Sequence, residues 1–355
     1  MKTWPYASRP VLAWVAVTIF ALLAFWGALT PPLSGTIRTA AVQGGVVTQI
    51  TDRELYGQVI DQVAAGRPYY ESVARLHRVN GYPLQPAVTV RLPTLALIAA
   101  ALGRIPTFIL YLALIAGCTV AWSVRLRQLI PPSQRRELAP AIVLVAFLAT
   151  ASPVIVYFHE AWAGILIALG LALWRPDRIW PSMVALFCAG LFRELAVCAM
   201  AVMLVIALLE RRWKESAVWI VAIILFAGVM ALHIHEVQQV VRANDMASPG
   251  WHGLGGWPLV VSAATAMSFL IVVPRIIGAI AVSAMLLGWA SWRHPLAYRV
   301  VGIVLGYAVA IAVFSRRDTL YWALLFAPLL SVGLLFLPIG TLSSGLRGER
   351  ARTDP

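Results

Sequence analysis

The sequence predicts an all-α, polytopic membrane protein, and three observations predict it. Of the 355 residues, 61% are hydrophobic and only 12% are charged. Soluble domains carry roughly 25% charged and about 45–50% apolar residues. The apolar residues gather in long runs, several of them near the ~20 residues a helix needs to cross a bilayer. Arginines interrupt those runs. So little polar surface cannot cover so apolar a core in water, and the covering solvent is expected to be lipid. The 14 tryptophans fit rings placed at membrane interfaces.

The formal net charge is +13. No basic stripe with interleaved aromatics accompanies it, which excludes nucleic acid as the expected partner. Basic residues between apolar runs instead set orientation and meet anionic lipid. Cys118, Cys188 and Cys198 all lie inside apolar runs. They read as small buried hydrophobes, neither a disulfide framework nor a metal site.

A single integral membrane domain is expected over residues 1–355, with about ten spans. The first run, 11–29, follows Lys2 and Arg9. It exceeds the roughly 7–15 residues of a signal-peptide core and reads as an uncleaved span with a cytoplasmic N-terminus. Residues 30–104 then form an outer loop. Within it, Leu55, Val59, Ile60 and Val63 share one face of a helix over 51–65, which Gly66 and Pro68 end. Gly81, Pro83 and Pro86 mark a turn. Residues 92–102 are apolar but too short to cross, and read as a juxtamembrane helix. The following run, 105–124, is span two. This choice places Arg125, Arg127, Arg135 and Arg136 in the cytoplasm, as the positive-inside rule prefers. Spans at 138–157, 161–174, 179–192, 195–209, 217–232, 276–292, 296–314 and 320–337 follow, with a second short apolar segment at 259–272. The tail of Arg347, Arg350 and Arg352 ends inside.

That topology collects unusual polar groups on the non-cytoplasmic side. Asp52 and Glu54 open the loop helix, and Tyr56 follows. His159 and Glu160 end span three. Arg193 and Glu194 lie between spans five and six. His233, His235 and Glu236 end span seven. Arg316, Arg317 and Asp318 lie between spans nine and ten. Ionisable groups at membrane depth are functional candidates by default. Each also has a structural reading. Thr51 with Glu54 makes a capping box, and a first-turn Asp52 suits the helix dipole. Arg193 and Glu194 could bridge two helices, or the arginine could hold a phosphate. The basic pair Arg316-Arg317 in a short outward turn asks for an anionic partner. Imidazole and carboxylate in these groups could ligate a divalent metal, but His-x-His on a helix splays its rings apart, so interfacial capping is the commoner reading and no metal site is assigned.

The run Asp52-Arg53-Glu54-Leu55-Tyr56, through Gly66, Tyr69-Tyr70, Tyr82-Pro83 and Pro86, resembles the first outer loop of the family C (GT-C fold) membrane glycosyltransferases. It looks most like the polyprenyl-phosphate-sugar-dependent members, which include protein mannosyltransferases and aminoarabinose transferases. Arg193 stands at the place of a lysine, and Arg316 to Tyr321 followed by Ala327-Pro328 matches a late basic-acidic-Tyr stretch. The usual Asp-Glu pair is here Asp52-Arg53, with Glu54 one place later.

The resemblance implies an inverting sugar transfer from a polyprenyl-phosphate donor at the non-cytoplasmic face of the inner membrane, with membrane lipid as its surroundings and no cofactor. Asp52 would act as general base. Arg193, Arg316 and Arg317 would neutralise the leaving lipid phosphate. Glu54, Tyr56, His159, Glu160, Glu194, Asp318 and Tyr321 join them as substrate-binding candidates. A net positive outer pocket is expected to suit the anionic donor. No Gly-rich phosphate loop is present for direct nucleotide use. The alternative is a transporter or flippase of a lipid-linked or anionic solute, although no convincing internal repeat is visible.

Overall fold

The structure, a computed structural model, describes residues 10–29 and 50–337. The basic tail at Arg347, Arg350 and Arg352, the N-terminal Lys2 and Arg9, and residues 30–49 of the outer loop lie outside the described residues. The described elements are all helical. The one β-type pairing among them is an isolated bridge between Gln85 and Ala247.

The first two described helices are α1 (Pro10–Ala28) and α2 (Asp52–Ala64). α2 starts where it does because Thr51 caps it. The Thr51 hydroxyl accepts from the Glu54 N–H at 3.3 Å, and Glu54 Oε2 accepts from the Thr51 N–H at 2.7 Å. Each side chain thus satisfies an otherwise orphaned donor. Gly66, at φ +82°, ends the run in a left-handed conformation. The structure then adds α3 (Tyr69–Asn80) where only a later turn was expected. Its Tyr69, Val73 and Leu76 are buried, as spacings of three and four dictate for one helix face. They join Leu55, Val59 and Ile60 in a small second core, which Val237 completes from a distant helix.

α4 (Thr94–Leu102) and α5 (Arg104–Leu129) are separated at Gly103, φ +85°. The short-then-long reading of this region therefore stands. Nine residues rise only about 14 Å, far short of a hydrocarbon core of ~30 Å. The bundle continues with α6 (Gln134–Leu148), α7 (His159–Leu173), α8 (Trp180–Phe192), α9 (Val197–Leu209) and α10 (Trp213–Val240). It closes with α11 (Gly256–Ala266), α12 (Arg275–Ser291), α13 (Pro295–Phe314) and α14 (Ala327–Ser331).

Three of these helices, α5, α10 and α13, are long and apolar enough to cross a membrane. Ile105, Ile109, Val120, Ile224, Leu225 and Val309 on them are all more than half exposed. Exposed apolar residues on long helices are what a lipid-facing surface presents. The other expected spans fall on shorter apolar helices, such as α8 and α9 with 13 residues each. Among the described residues, three helices therefore reach spanning length and composition.

Two departures have local causes. Expected span three stops at Leu148, before Pro153, and a 3-10 turn at Ile155–Tyr157 leads directly into α7. His159 and Glu160 therefore open α7 instead of ending the preceding helix. Expected span ten is broken into a 3-10 turn (Leu320–Leu325), α14 and a second 3-10 turn (Val332–Phe336). Here backbones pack at contact distance: a Cβ on Gly164 would lie 2.0 Å from the Leu324 carbonyl oxygen, and one on Gly333 would lie 2.0 Å from that of Met285.

Chain direction sorts the turns onto two ends of the bundle. The α5–α6, α7–α8, α9–α10 and α12–α13 turns meet at one. There Arg175 reaches Gln128, Arg212 reaches the Pro176 carbonyl, and Arg299 reaches Glu210. The starts of α2 and α7, the α8–α9 turn and the 315–319 turn meet at the other. Arg125 and Arg127 are thus at the opposite end from Asp52.

Candidate active site

A cavity of about 430 Å³ opens at the Asp52 end. Most of its charged wall comes from four places distant in sequence. α2 supplies Asp52 and Tyr56, and the loop after α3 supplies Tyr82 and Arg91. The α8–α9 turn supplies Arg193 and Glu194, and the 315–321 segment supplies Arg316, Asp318 and Tyr321. Leu195, Cys198, Ala310, Phe314, Trp251 and Trp322 form an apolar remainder.

Asp52 is placed by the capping box, which fixes the first turn of α2 with the carboxylate facing inward. The Tyr82 hydroxyl donates to Asp52 Oδ1 at 3.0 Å. Burial pushes the carboxyl above its ordinary value of 3.8. Arg91 and hydrogen bonds from Tyr82 and Tyr321 pull the other way without cancelling the effect. Behind it, Arg91 Nε donates to the Tyr56 hydroxyl at 3.2 Å, and Arg91 Nη1 stands 3.9 Å from Glu194. Burial raises the Tyr56 phenol to about 12, so it stays protonated. His77, also on the wall, is held down to about 4 by burial and is neutral near pH 7.

Arg193 follows the last turn of α8 in extended conformation, which turns its side chain back under α7. Its Nε donates to Glu160 at 2.5 Å, and its Nη1 pairs with Glu194. Both Arg193 and Glu160 are fully buried. Truncating one member of such a pair strands the other's charge, which costs about 3–5 kcal/mol. His159 packs edge-on against Tyr56, with ring centroids 4.9 Å apart. The buried Nδ1 of His159 and Oε2 of Glu160 have no hydrogen-bond partner among the described residues.

Arg316 grips Asp318 with a fork, Nε to Oδ1 at 3.1 Å and Nη2 to Oδ2 at 3.2 Å. Its Nη1 donates to the Gly250 carbonyl at 3.3 Å and so ties the loop carrying Trp251 to the cavity.

Several expected site residues are elsewhere. Glu54 is exposed and spent on the cap, outside the cavity wall. Arg317 is exposed and does not line the cavity; its neighbour Arg316 does. Glu160 and His159 lie behind the wall instead of on it. His233 is a satisfied core histidine on α10, which runs on to Val240. Its Nδ1 meets the Tyr70 hydroxyl and its Nε2 the Val90 carbonyl, each at 3.1 Å. Among the described residues no three metal-ligating side chains are grouped.

The expectation of a net positive pocket is corrected. Arg91, Arg193 and Arg316 face Asp52, Glu194 and Asp318 on the same wall, and Glu160 sits just behind. Positive and negative charge balance on the described wall because each arginine of the Arg193 and Arg316 pairs carries its own carboxylate.

Sequence reasoning missed Arg91, Tyr82, Trp251 and Trp322. Arg91 had a readable signal, since it is an ionisable residue directly before the apolar run of α4. Trp322 directly follows the candidate Tyr321, whereas Trp251 had no such signal, because only the fold brings its loop to the cavity.

No known family model, curated protein or solved structure matches the chain.

Proposed function

We propose that the protein is a membrane glycosyltransferase that moves a sugar from a polyprenyl-phosphate donor to an acceptor hydroxyl, with inversion. The observation that carries this reading is Asp52: a half-buried carboxylate of raised pKa, opening onto a cavity shared with Arg91, Arg193 and Arg316. A general base works best when its pKa lies nearer the working pH than an ordinary carboxylate's.

In the proposed reaction, Asp52 takes the proton of the acceptor hydroxyl as that oxygen attacks the anomeric carbon. The bond from the anomeric carbon to the phosphate oxygen breaks, and the lipid phosphate leaves with the electron pair. Arg91 and Arg316 stabilise the phosphate, and Arg193 holds Glu194 and Glu160 in place behind them. The apolar remainder of the cavity, where α9 and α13 present Cys198, Ala310 and Phe314, suits the first prenyl units. The same reading places the Asp52 end outside and both termini in the cytoplasm of the inner membrane. It rests on the grouping of Arg125, Arg175, Arg212 and Arg299 at the opposite end.

The test uses vesicles holding the protein, a polyprenyl-phosphate sugar and an envelope extract as acceptor source. Wild type is expected to release polyprenyl phosphate. Asp52→Asn is expected to lose about 10² to 10⁴ of that rate while still binding the donor. Donor carried across the bilayer unconsumed would instead support a flippase.

A further inference from the structure

The balanced charge of the cavity raises a physical problem for any anionic ligand. A phosphate brought among Arg91, Arg193 and Arg316 also meets Asp52, Glu194 and Asp318. Unless one carboxylate yields its place, the ligand adds an uncompensated negative charge to a partly desolvated site.

The three carboxylates differ in how easily they can yield. Glu194 is tied to Arg193, whose side chain is 2% exposed and also holds the wholly buried Glu160. Asp52 accepts from Tyr82 and Tyr321 on a capped helix end. Asp318 belongs to the accessible pair, since it and Arg316 are each 26% exposed. Partly solvated pairs of this kind are weak and readily exchanged.

The geometry around Arg316 allows the exchange without moving the guanidinium. Asp318 takes it by two oxygens at 3.1 and 3.2 Å, the two-point grip that a phosphate also makes, and longer than the ~2.7–2.9 Å of strong charge-assisted bonds. The remaining nitrogen is held by the Gly250 carbonyl at 3.3 Å. The turn itself is fixed: Thr319 Oγ1 accepts from the Arg316 N–H at 3.0 Å and lies 2.9 Å from Ser315 Oγ. A Cβ on Gly253 would lie 1.7 Å from the Ser315 carbonyl oxygen, so the 250–255 loop presses on the turn from behind.

We propose, resting on the lipid-phosphate reading above, that Asp318 is an internal substitute for the donor phosphate, holding Arg316 until the phosphate displaces it. Asp318 then sets how tightly lipid phosphate is held. It weakens binding of the donor, and it speeds departure of the polyprenyl-phosphate product by reclaiming the arginine.

Calorimetric titration of the detergent-solubilised full chain with farnesyl phosphate and with farnesol tests this. Wild type is expected to prefer the phosphate. Asp318→Asn is expected to bind farnesyl phosphate about two- to fivefold more tightly, the fold-change equivalent of losing one partly exposed competing pair. Its affinity for farnesol should not change, which also shows that the variant is folded. Asp318→Ala should move in the same direction. Arg316→Gln should lose the phosphate preference, and adding Asp318→Asn to it should restore nothing, because the gain requires the arginine. Unchanged or weaker phosphate binding in both Asp318 variants, with the wild-type preference intact, would overturn the exchange alone. Equal wild-type binding of farnesol and farnesyl phosphate would remove the phosphate site itself, and the exchange with it.

Discussion

Arg193 and Arg299 are both buried, both flanked by two glutamates, and placed at opposite ends of the bundle. Between their surroundings run helices such as α9, whose 13 residues span about 20 Å. Arg299 is 0% exposed. It forks Glu210, reaches Glu215 at 3.3 Å and stacks on Trp174 at 3.9 Å. Trp174 Nε1 closes the group by donating to Glu215 at 2.8 Å. Glu215 and Trp174 are themselves buried there, while Glu210 is about a quarter exposed. Arg193 has the same two-carboxylate arrangement, but one carboxylate, Glu194, fronts a 430 Å³ cavity with Asp52, Arg91 and Arg316 around it. A buried ion pair therefore does not mark a site. What distinguishes the Asp52 end is polar residues that face space, together with a carboxylate of raised pKa.

The largest expected effect separates the two ends. Arg299→Ala and Arg193→Ala should each lower stability by about 3–5 kcal/mol, read by thermal unfolding in detergent, because each strands a buried glutamate. Arg299→Met with Glu215→Gln should recover most of that loss and keep transfer, since apolar replacement of a buried pair is often neutral. Arg193→Met with Glu160→Gln should recover stability and not transfer. Equal recovery of transfer at both ends would erase the distinction.

The next effect concerns His77 on the cavity wall. Its folded value, about 4, lies below the ordinary 6.5. The neutral ring is the folded form, so its contribution is complete above pH 6.5 and is lost as pH falls toward 4. The full loss is about 3 kcal/mol. His77→Gln should flatten the stability slope across that window. An unchanged slope would mean that the ring protonates freely in the fold.

The smallest effects lie in the first turn of α2. Thr51→Ala should cost about 1 kcal/mol by removing the cap. Asp52→Asn has the opposite sign at neutral pH. A raised folded pKa means the ionised carboxylate opposes folding, so its replacement stabilises slightly, and the gain disappears below pH 3.8. A clear loss of stability in Asp52→Asn would make it a helix-end acid.

The all-helical class, the capping box at Thr51, the break at Gly103 and the grouping of arginines at one end were legible from composition, local spacing and charge. Those features depend on neighbours in the chain. α3 was not read, although Pro68 before it, Gly81 after it and an apolar face between were there to be seen. The site was only partly legible. Arg193 and Arg316 are ionisable residues at the ends of apolar runs, Asp52 opens the capped loop helix, and those local signals found them. They also returned Arg317 and Glu54, because they cannot show which neighbour turns inward. The expected positive pocket failed for a related reason: Glu194 and Asp318 neighbour Arg193 and Arg316 in sequence, but only the fold shows that both carboxylates line the cavity while Arg317 does not.

The most direct measurement is a structure of the protein with polyprenyl phosphate bound. The phosphate is expected between Arg91 and Arg316, facing Asp52, with its prenyl chain along Cys198, Ala310 and Phe314 and Asp318 turned away from Arg316. Phosphate bound instead against Arg299 and Arg125, or on the outer wall of α5 and α10, would contradict a donor site at the Asp52 end.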